Sequence, residues 1–318
     1  MEDLLKWSLA NSNEQNLNEI QNQMSEEEWK LKKQIFNEVM SNLIVDETEE
    51  MKKCIEKLKT EKETSIINDN LESLQEFVEN IDNANNLDKL GGVDIVANFL
   101  NAEDPTIKSN ALYVIGTCAK NNIDFQNLLL NKKNILDHFI SSLKSKAQNV
   151  QTRAISATSA FVENNYQAQK WFLSNQVLEL MIDFLSNGIY YQKMRIFFFF
   201  YQLVQEKKPE ISFQKIFGES KFLIEVVAKL VNNVAFFKSL KNENQNENQN
   251  EKFEEFDFLE KMLLFIQSLI EENEENIQVF KKTQIVGDLQ LIAKDEEIVE
   301  EIRNIAFQIS EKIGSSKN

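Results

Sequence analysis

Glycine and proline are scarce: seven and two of 318 residues, where ordinary usage near 7% and 5% would give roughly 38. Sandwiches, barrels and tight-turned α/β sheets draw on these residues for their turns, so a hairpin-rich fold is excluded. Long helices joined by short polar connections remain. Histidine occurs once, at His138, and cysteine twice, at Cys54 and Cys118. One histidine builds neither a His-based triad nor a multi-His metal centre. The two cysteines fall in separate helical patterns, read as small apolar side chains in a reducing compartment. Gly91-Gly92 is the only glycine pair, and no phosphate-loop or dinucleotide fingerprint accompanies it. No enzymatic activity, metal or cofactor is expected.

Arginine is rare too. Arg153, Arg195 and Arg303 are the only three, in a chain of formal charge −16, which argues against a broad phosphate-gripping face and hence against nucleic acid. The longest apolar stretches, 196–201 and 262–270, fall short of the ~20 residues that cross a bilayer, so no membrane partner is expected. The acids at Glu2 and Asp3 leave no basic lead into an apolar signal core, and a cytoplasmic location is expected.

What is present is a period. Leu100, Leu143 and Leu185 recur after 43 and 42 residues. Behind each lies a polar connection and a helical run: Ile107, Ala111, Ile115, Cys118; then Val150, Ala154, Thr158, Phe161; then Met194, Phe197, Phe198, Tyr201. The first two runs close on Asn121-Asn122 and Asn164-Asn165, again 43 apart. Such a period, with two or three helices per unit, is that of the armadillo/HEAT solenoids, in which each unit buries its apolar stripe only against its neighbours. The fold class expected is all-α, an armadillo-like right-handed superhelical solenoid. A fourth unit is read over 213–270 and a capping unit over 277–313. The tract 241–252 has no apolar residue and repeats Asn-Glu-Asn-Gln, so it is read as a disordered insertion. The domain plan is a flexible arm over 1–25, N-terminal helices over 26–80 (26–59 and 66–79), and repeats over 81–318.

Three stretches are more particular than this plan demands: Leu4-Leu-Lys-Trp-Ser-Leu-Ala-Asn-Ser12, Val78-Glu-Asn-Ile-Asp-Asn-Ala-Asn-Asn-Leu87 and Val114-Ile-Gly-Thr-Cys-Ala-Lys-Asn-Asn122. In this order they resemble the Fes/HspBP/Sil family of armadillo nucleotide-exchange factors for the seventy-kilodalton heat-shock chaperones. The first stretch is most similar to the cytosolic fungal-type members. The match is clear over 71–165, thinner to 206 and faint beyond.

The resemblance implies a monomer that embraces one lobe of the chaperone's nucleotide-binding domain and favours its open form, so that ADP leaves. Differential affinity for the open state suffices for this, without any catalytic group. The resemblance carries a chaperone-gripping role onto Ala84, with Asn83 beside it, and onto Arg195. Arg153 lies one period before Arg195, and Lys108 and Lys193 are placed near the same face. The alternative is that these long side chains cover helix surface and pair with local acids, and that Ala84 is small for packing. Gln151 and Glu163 stand where relatives usually carry basic residues. In the arm, Leu4, Leu5, Lys6, Trp7 and Leu9 mimic a chaperone substrate and, by the resemblance, assist substrate release. The alternative there is a short helix packing back on the first repeat. Of the four phenylalanines 197–200, one or two are expected to reach solvent or a partner. A different reading of the whole is an armadillo adaptor for an extended peptide, but Trp7, Trp29 and Trp171 form no repeated ladder.

Overall fold

The computed structural model describes residues 46–207, 210–241 and 249–316, with residues 30–31 and 34–35 before them. The chain divides into two compact units, Met1–Lys53 and Cys54–Asn318. Among the described residues there are seventeen helices and no strands. The first unit contributes the start of α1 (Glu47–Thr60), capped by Asp46 Oδ1, which accepts from the N–H groups of Thr48 and Glu49 at 3.1 and 3.2 Å.

In the second unit, α2 (Thr64–Phe77) precedes five triplets. They are α3 (Ile81–Lys89), α4 (Gly92–Phe99) and α5 (Pro105–Ala119); α6 (Ile123–Asn131), α7 (Lys133–Leu143) and α8 (Gln148–Val162); and α9 (Tyr166–Ser174), α10 (Val177–Asn187) and α11 (Tyr190–Gln205). The fourth is α12 (Phe213–Glu219), α13 (Lys221–Lys241) and α14 (Gln249–Ile270). The fifth is α15 (Glu274–Lys281), α16 (Ile285–Lys294) and α17 (Glu300–Ser315). The tract read as an insertion thus falls between α13 and α14, although α14 starts at Gln249 and takes in the tract's last residues.

The Asn-Asn pairs mark the joints. Asn121 and Asn164 follow third helices with φ of 52° and 59°, the left-handed region that asparagine tolerates better than most residues. The next residue then caps the following helix: the side chain of Asn122 accepts from Phe125 N at 3.2 Å, and that of Asn165 from Gln167 N at 3.0 Å and Ala168 N at 3.1 Å. Asn80, Ser212 and Asn273 cap the other first helices in the same way. Each amide also reaches back one repeat, Asn122 Nδ2 donating to Asn85 Oδ1 at 2.9 Å and Asn165 Nδ2 to Asn127 Oδ1 at 3.1 Å.

One turn further on, a buried amide ties the ends of neighbouring third helices. Gln126 Nε2 donates to the carbonyls of Ala119, Ala160 and Glu163 at 3.1, 2.8 and 3.1 Å. Asn276 Nδ2 likewise reaches the end of α14, donating to Leu269 O at 2.8 Å, and also donates to Gln214 O in α12 at 3.1 Å. The bonds to Ala119, Ala160, Glu163 and Leu269 satisfy carbonyls that a helix C-terminus leaves open.

The aromatic core lies between the third and fourth triplets. Phe200 stacks on Phe217 with centroids 4.7 Å apart, Phe199 meets Phe172 at 5.6 Å, and Phe265 lies 5.9 Å from Phe200. Phe197, Phe199 and Phe200 are buried, while Phe198 is 42% exposed. A helix turns 100° per residue, so one of four consecutive side chains is left facing out.

Candidate functional site

The third helices α5, α8 and α11 stand side by side and line a groove of ≈ 440 Å³. Their spacing is uneven. Gly116 lets α8 approach α5, for a Cβ there would meet Ala157 Cα at 2.8 Å. Between α8 and α11 the backbones approach less closely, and polar side chains cross the gap. Arg195 Nη1 donates to Ser156 Oγ at 2.9 Å and Gln192 Nε2 to Thr152 Oγ1 at 3.1 Å.

Within the groove each arginine lies over a tyrosine. The Arg153 guanidinium is 4.2 Å from the Tyr113 ring centroid, and that of Arg195 is 4.7 Å from the Tyr191 ring while its Nη2 donates to the Tyr191 hydroxyl. Stacking of this kind holds a cation in place without neutralising it. Among the described residues neither arginine has a carboxylate within 4.0 Å. Among the described residues Arg195 Nε is buried without a hydrogen-bond partner. Exposed Phe198 lies one turn beyond Arg195 on the groove wall.

One end of the groove carries a different charge. Lys120, Glu163 and Glu206 are the C-terminal caps of α5, α8 and α11. Burial, and then the charge of Glu206, push the Glu163 carboxyl up to about 7, with Lys120 acting in the opposite direction. The negative end of the α8 dipole is a further poor place for a carboxylate. Glu206 itself is held, accepting from Asn164 N at 2.8 Å and Gln169 Nε2 at 2.5 Å.

The structure therefore brings together Arg153 and Arg195 of the residues read from the sequence, and separates the others. Lys193 lies on the far side of α11, in a crevice with Tyr190, Leu230 and Phe258, where burial lowers its ammonium. Lys108 is half-buried on α5 and does not line the groove. Ala84 is 2% and Asn83 6% exposed; Asn83 Nδ2 donates to Phe77 O at 3.0 Å. Both side chains are buried in the packing of α3. Gln151 is occupied with Ser145 O at 2.7 Å. Leu4, Leu5, Lys6, Trp7 and Leu9 lie outside the described residues.

Sequence reasoning passed over Tyr113, Tyr191 and Ser156. The one available signal was Tyr191, four residues before Arg195 and so on the same helical face.

Comparison with known proteins agrees with this architecture. Residues 1–87 match the family model described as nucleotide exchange factor Fes1, and residues 83–301 that of the SIL1/FES1/HPBP1 C-terminal domain. The chain is 31% identical over 202 residues to the Hsp70 nucleotide exchange factor FES1 of Saccharomyces cerevisiae, covering 62% of this chain and 67% of the yeast protein. It is 32% identical over 130 residues to that of Eremothecium gossypii, covering 40% and 44%. In structure it is similar to a designed armadillo repeat protein at a TM-score of 0.60 and 14% identity, over 83% of this chain and 99% of that one; at that identity the likeness speaks for the fold alone. With matched models running from residue 1 to residue 301, the chain belongs to the SIL1/FES1/HPBP1 family.

Proposed function

We propose that this chain is a nucleotide exchange factor for an Hsp70-class chaperone, binding its nucleotide-binding domain through the groove of α5, α8 and α11. The observation that carries the reading is the pair Arg153 and Arg195, each held over a tyrosine with no carboxylate within 4.0 Å among the described residues, in a chain of net charge −16. In so acidic a molecule an unneutralised local positive line is a docking feature for an acidic surface. Family membership, and the naming of the yeast relative as an Hsp70 nucleotide exchange factor, identify the partner class.

The mechanism needs no chemistry. A groove that fits the open, nucleotide-poor form of the chaperone better than the ADP-bound form lowers ADP affinity by the same factor by which ADP lowers affinity for the groove. Buried struts make the groove a stiff template: Gln126 and Asn165 fix the repeats that present Arg153, and Ser156 fixes Arg195. The arm at 1–25 adds a second role. Leu4, Leu5, Lys6, Trp7 and Leu9 compete with bound substrate for the chaperone's peptide groove, at the high local concentration that tethering provides. The site of action is the cytoplasm, and the acting species is the monomer.

The test is release of a fluorescent ADP from the organism's chaperone. Acceleration is expected at micromolar protein, with Arg195→Ala slowing it at least several-fold while thermal unfolding is little changed. No acceleration by the wild-type chain would end the proposal. Removal of residues 1–12 is expected to leave ADP release intact and to slow displacement of a bound peptide; unchanged displacement would remove the arm's role.

A further inference from the structure

The arginine column does not stop at the third repeat. The buried positions of α8, namely Ala154, Ile155, Ala157, Thr158, Phe161 and Val162, reappear 42 residues on in α11 as Ile196, Phe197, Phe199, Phe200, Leu203 and Val204. The same six reappear after a further 66 residues in α14, as Met262, Leu263, Phe265, Ile266, Leu269 and Ile270. Every one is buried, so the register of α14 is set. The position equivalent to Arg153 and Arg195 is then Lys261.

Its surroundings repeat those of the arginines. Lys261 Nζ lies 5.8 Å from the centroid of the Phe198 ring, on the groove wall beside Arg195. Its side chain is 27% exposed. It differs in having one acidic neighbour, Glu260 Oε2 at 2.7 Å, which is itself partly exposed. One repeat before Arg153 the column ends in an amide: Asn110 Nδ2 donates to Asn68 Oδ1 at 3.1 Å and Glu72 Oε1 at 3.3 Å. The row is therefore Arg153, Arg195 and Lys261, one cation per repeat, each beside an aromatic ring.

We infer that Lys261 is a third docking cation, and that the partner surface read by this face carries a row of acidic groups spaced by the separation of packed helices, about 10 Å. This rests on the function proposed above, and names the chemistry of the surface that function requires. A protein surface fits better than nucleic acid: three separated cations, one of them partly neutralised by Glu260, are too few and too sparse for a phosphate backbone. Aromatic rings between the cations supply apolar contact around each ion pair and exclude water from it.

The experiment measures binding of the intact chain to the intact Hsp70-class chaperone by biolayer interferometry at several salt concentrations, with ADP release in parallel. Lys261→Met, which keeps the apolar stem, is expected to weaken binding about three- to tenfold and to flatten its salt dependence, as loss of a steering charge does. Lys261→Arg is expected to restore binding. Glu260→Gln, which frees the ammonium, is expected to tighten it about twofold, a direction that a merely structural Lys261 would not produce. Circular dichroism confirms that each variant is folded. If the wild-type chain binds and releases ADP while Lys261→Met and Glu260→Gln bind as it does, this inference fails and the exchange function stands. If the wild-type chain does neither, the function proposed above fails and this inference falls with it.

Discussion

Replacing Glu163 with glutamine tests the electrostatics of the groove end directly. In the folded chain the carboxyl titrates at about 7 rather than near 4.5, because burial and Glu206 both oppose its charge. Between those two pH values the folded chain holds a proton that the unfolded chain has lost. Stability is therefore greatest at the acid side of the window and falls as pH rises through 7. At about 1.4 kcal/mol per tenfold difference in proton affinity, ionising Glu163 costs the folded chain up to about 3 kcal/mol, and its partial exposure reduces this to about 2 kcal/mol. Glutamine fills the same space without a charge. The Glu163→Gln chain is expected to match wild type at pH 5 and to exceed it at pH 8 by about 2 kcal/mol, roughly 4–8 °C in Tm for a unit of this size. Thermal unfolding followed at 222 nm, at both pH values, reads the difference. An equal offset at the two pH values, or a glutamine chain less stable at pH 8, would refute the account of a buried, repelled carboxylate.

Gln126→Leu keeps the volume of a 1% exposed side chain but strands the carbonyls of Ala119, Ala160 and Glu163. Unsatisfied buried acceptors cost about 1–3 kcal/mol each before relaxation, so a loss of about 2–4 kcal/mol is expected in urea unfolding, and a loss under 0.5 kcal/mol would show that the amide is not a strut. Ala84→Arg forces a long cation into a site 2% exposed, at a cost of at least about 3 kcal/mol; Tm is expected to fall together with chaperone binding. Lost binding at an unchanged Tm would instead place Ala84 at a partner surface.

Much of this fold was legible because a solenoid writes its period into its sequence. Leu100, Leu143 and Leu185 repeat because each unit packs the same way on the last, and the Asn-Asn pairs repeat because each joint needs one left-handed residue and one cap. The column from Arg153 to Arg195 followed from the same arithmetic. What the period did not disclose is what lies off it. Lys261 is 66 residues from Arg195, not 42, because α13 and the stretch of α14 ahead of Lys261 are longer than their counterparts in α10 and α11, and the connections of the fourth unit add the rest. Ala84 and Asn83 belong to a motif whose spacing places them on α3, but spacing does not tell a buried face from an exposed one on a nine-residue helix. Lys193 shares a helix with Arg195 and sits two residues away, which is 200° around the axis and thus on the opposite side.

The departure at Glu163 has a functional side that follows from its position. It lines the same groove as Arg153 and Arg195, so its charge subtracts from the positive line that an acidic partner would meet. Because its carboxyl titrates at about 7, the groove is more positive at pH 6 than at pH 8 by up to one charge. Association with an acidic surface is then expected to be faster and tighter at pH 6, and the Glu163→Gln chain should show the tight value at both. The comparison separates two effects of one residue. In wild type, protonation both stabilises the solenoid and strengthens the groove, whereas Arg195→Ala should weaken binding at either pH and leave the stability gradient between pH 5 and 8 in place. A stability gradient without a binding gradient would mean that Glu163 faces the protein rather than the partner.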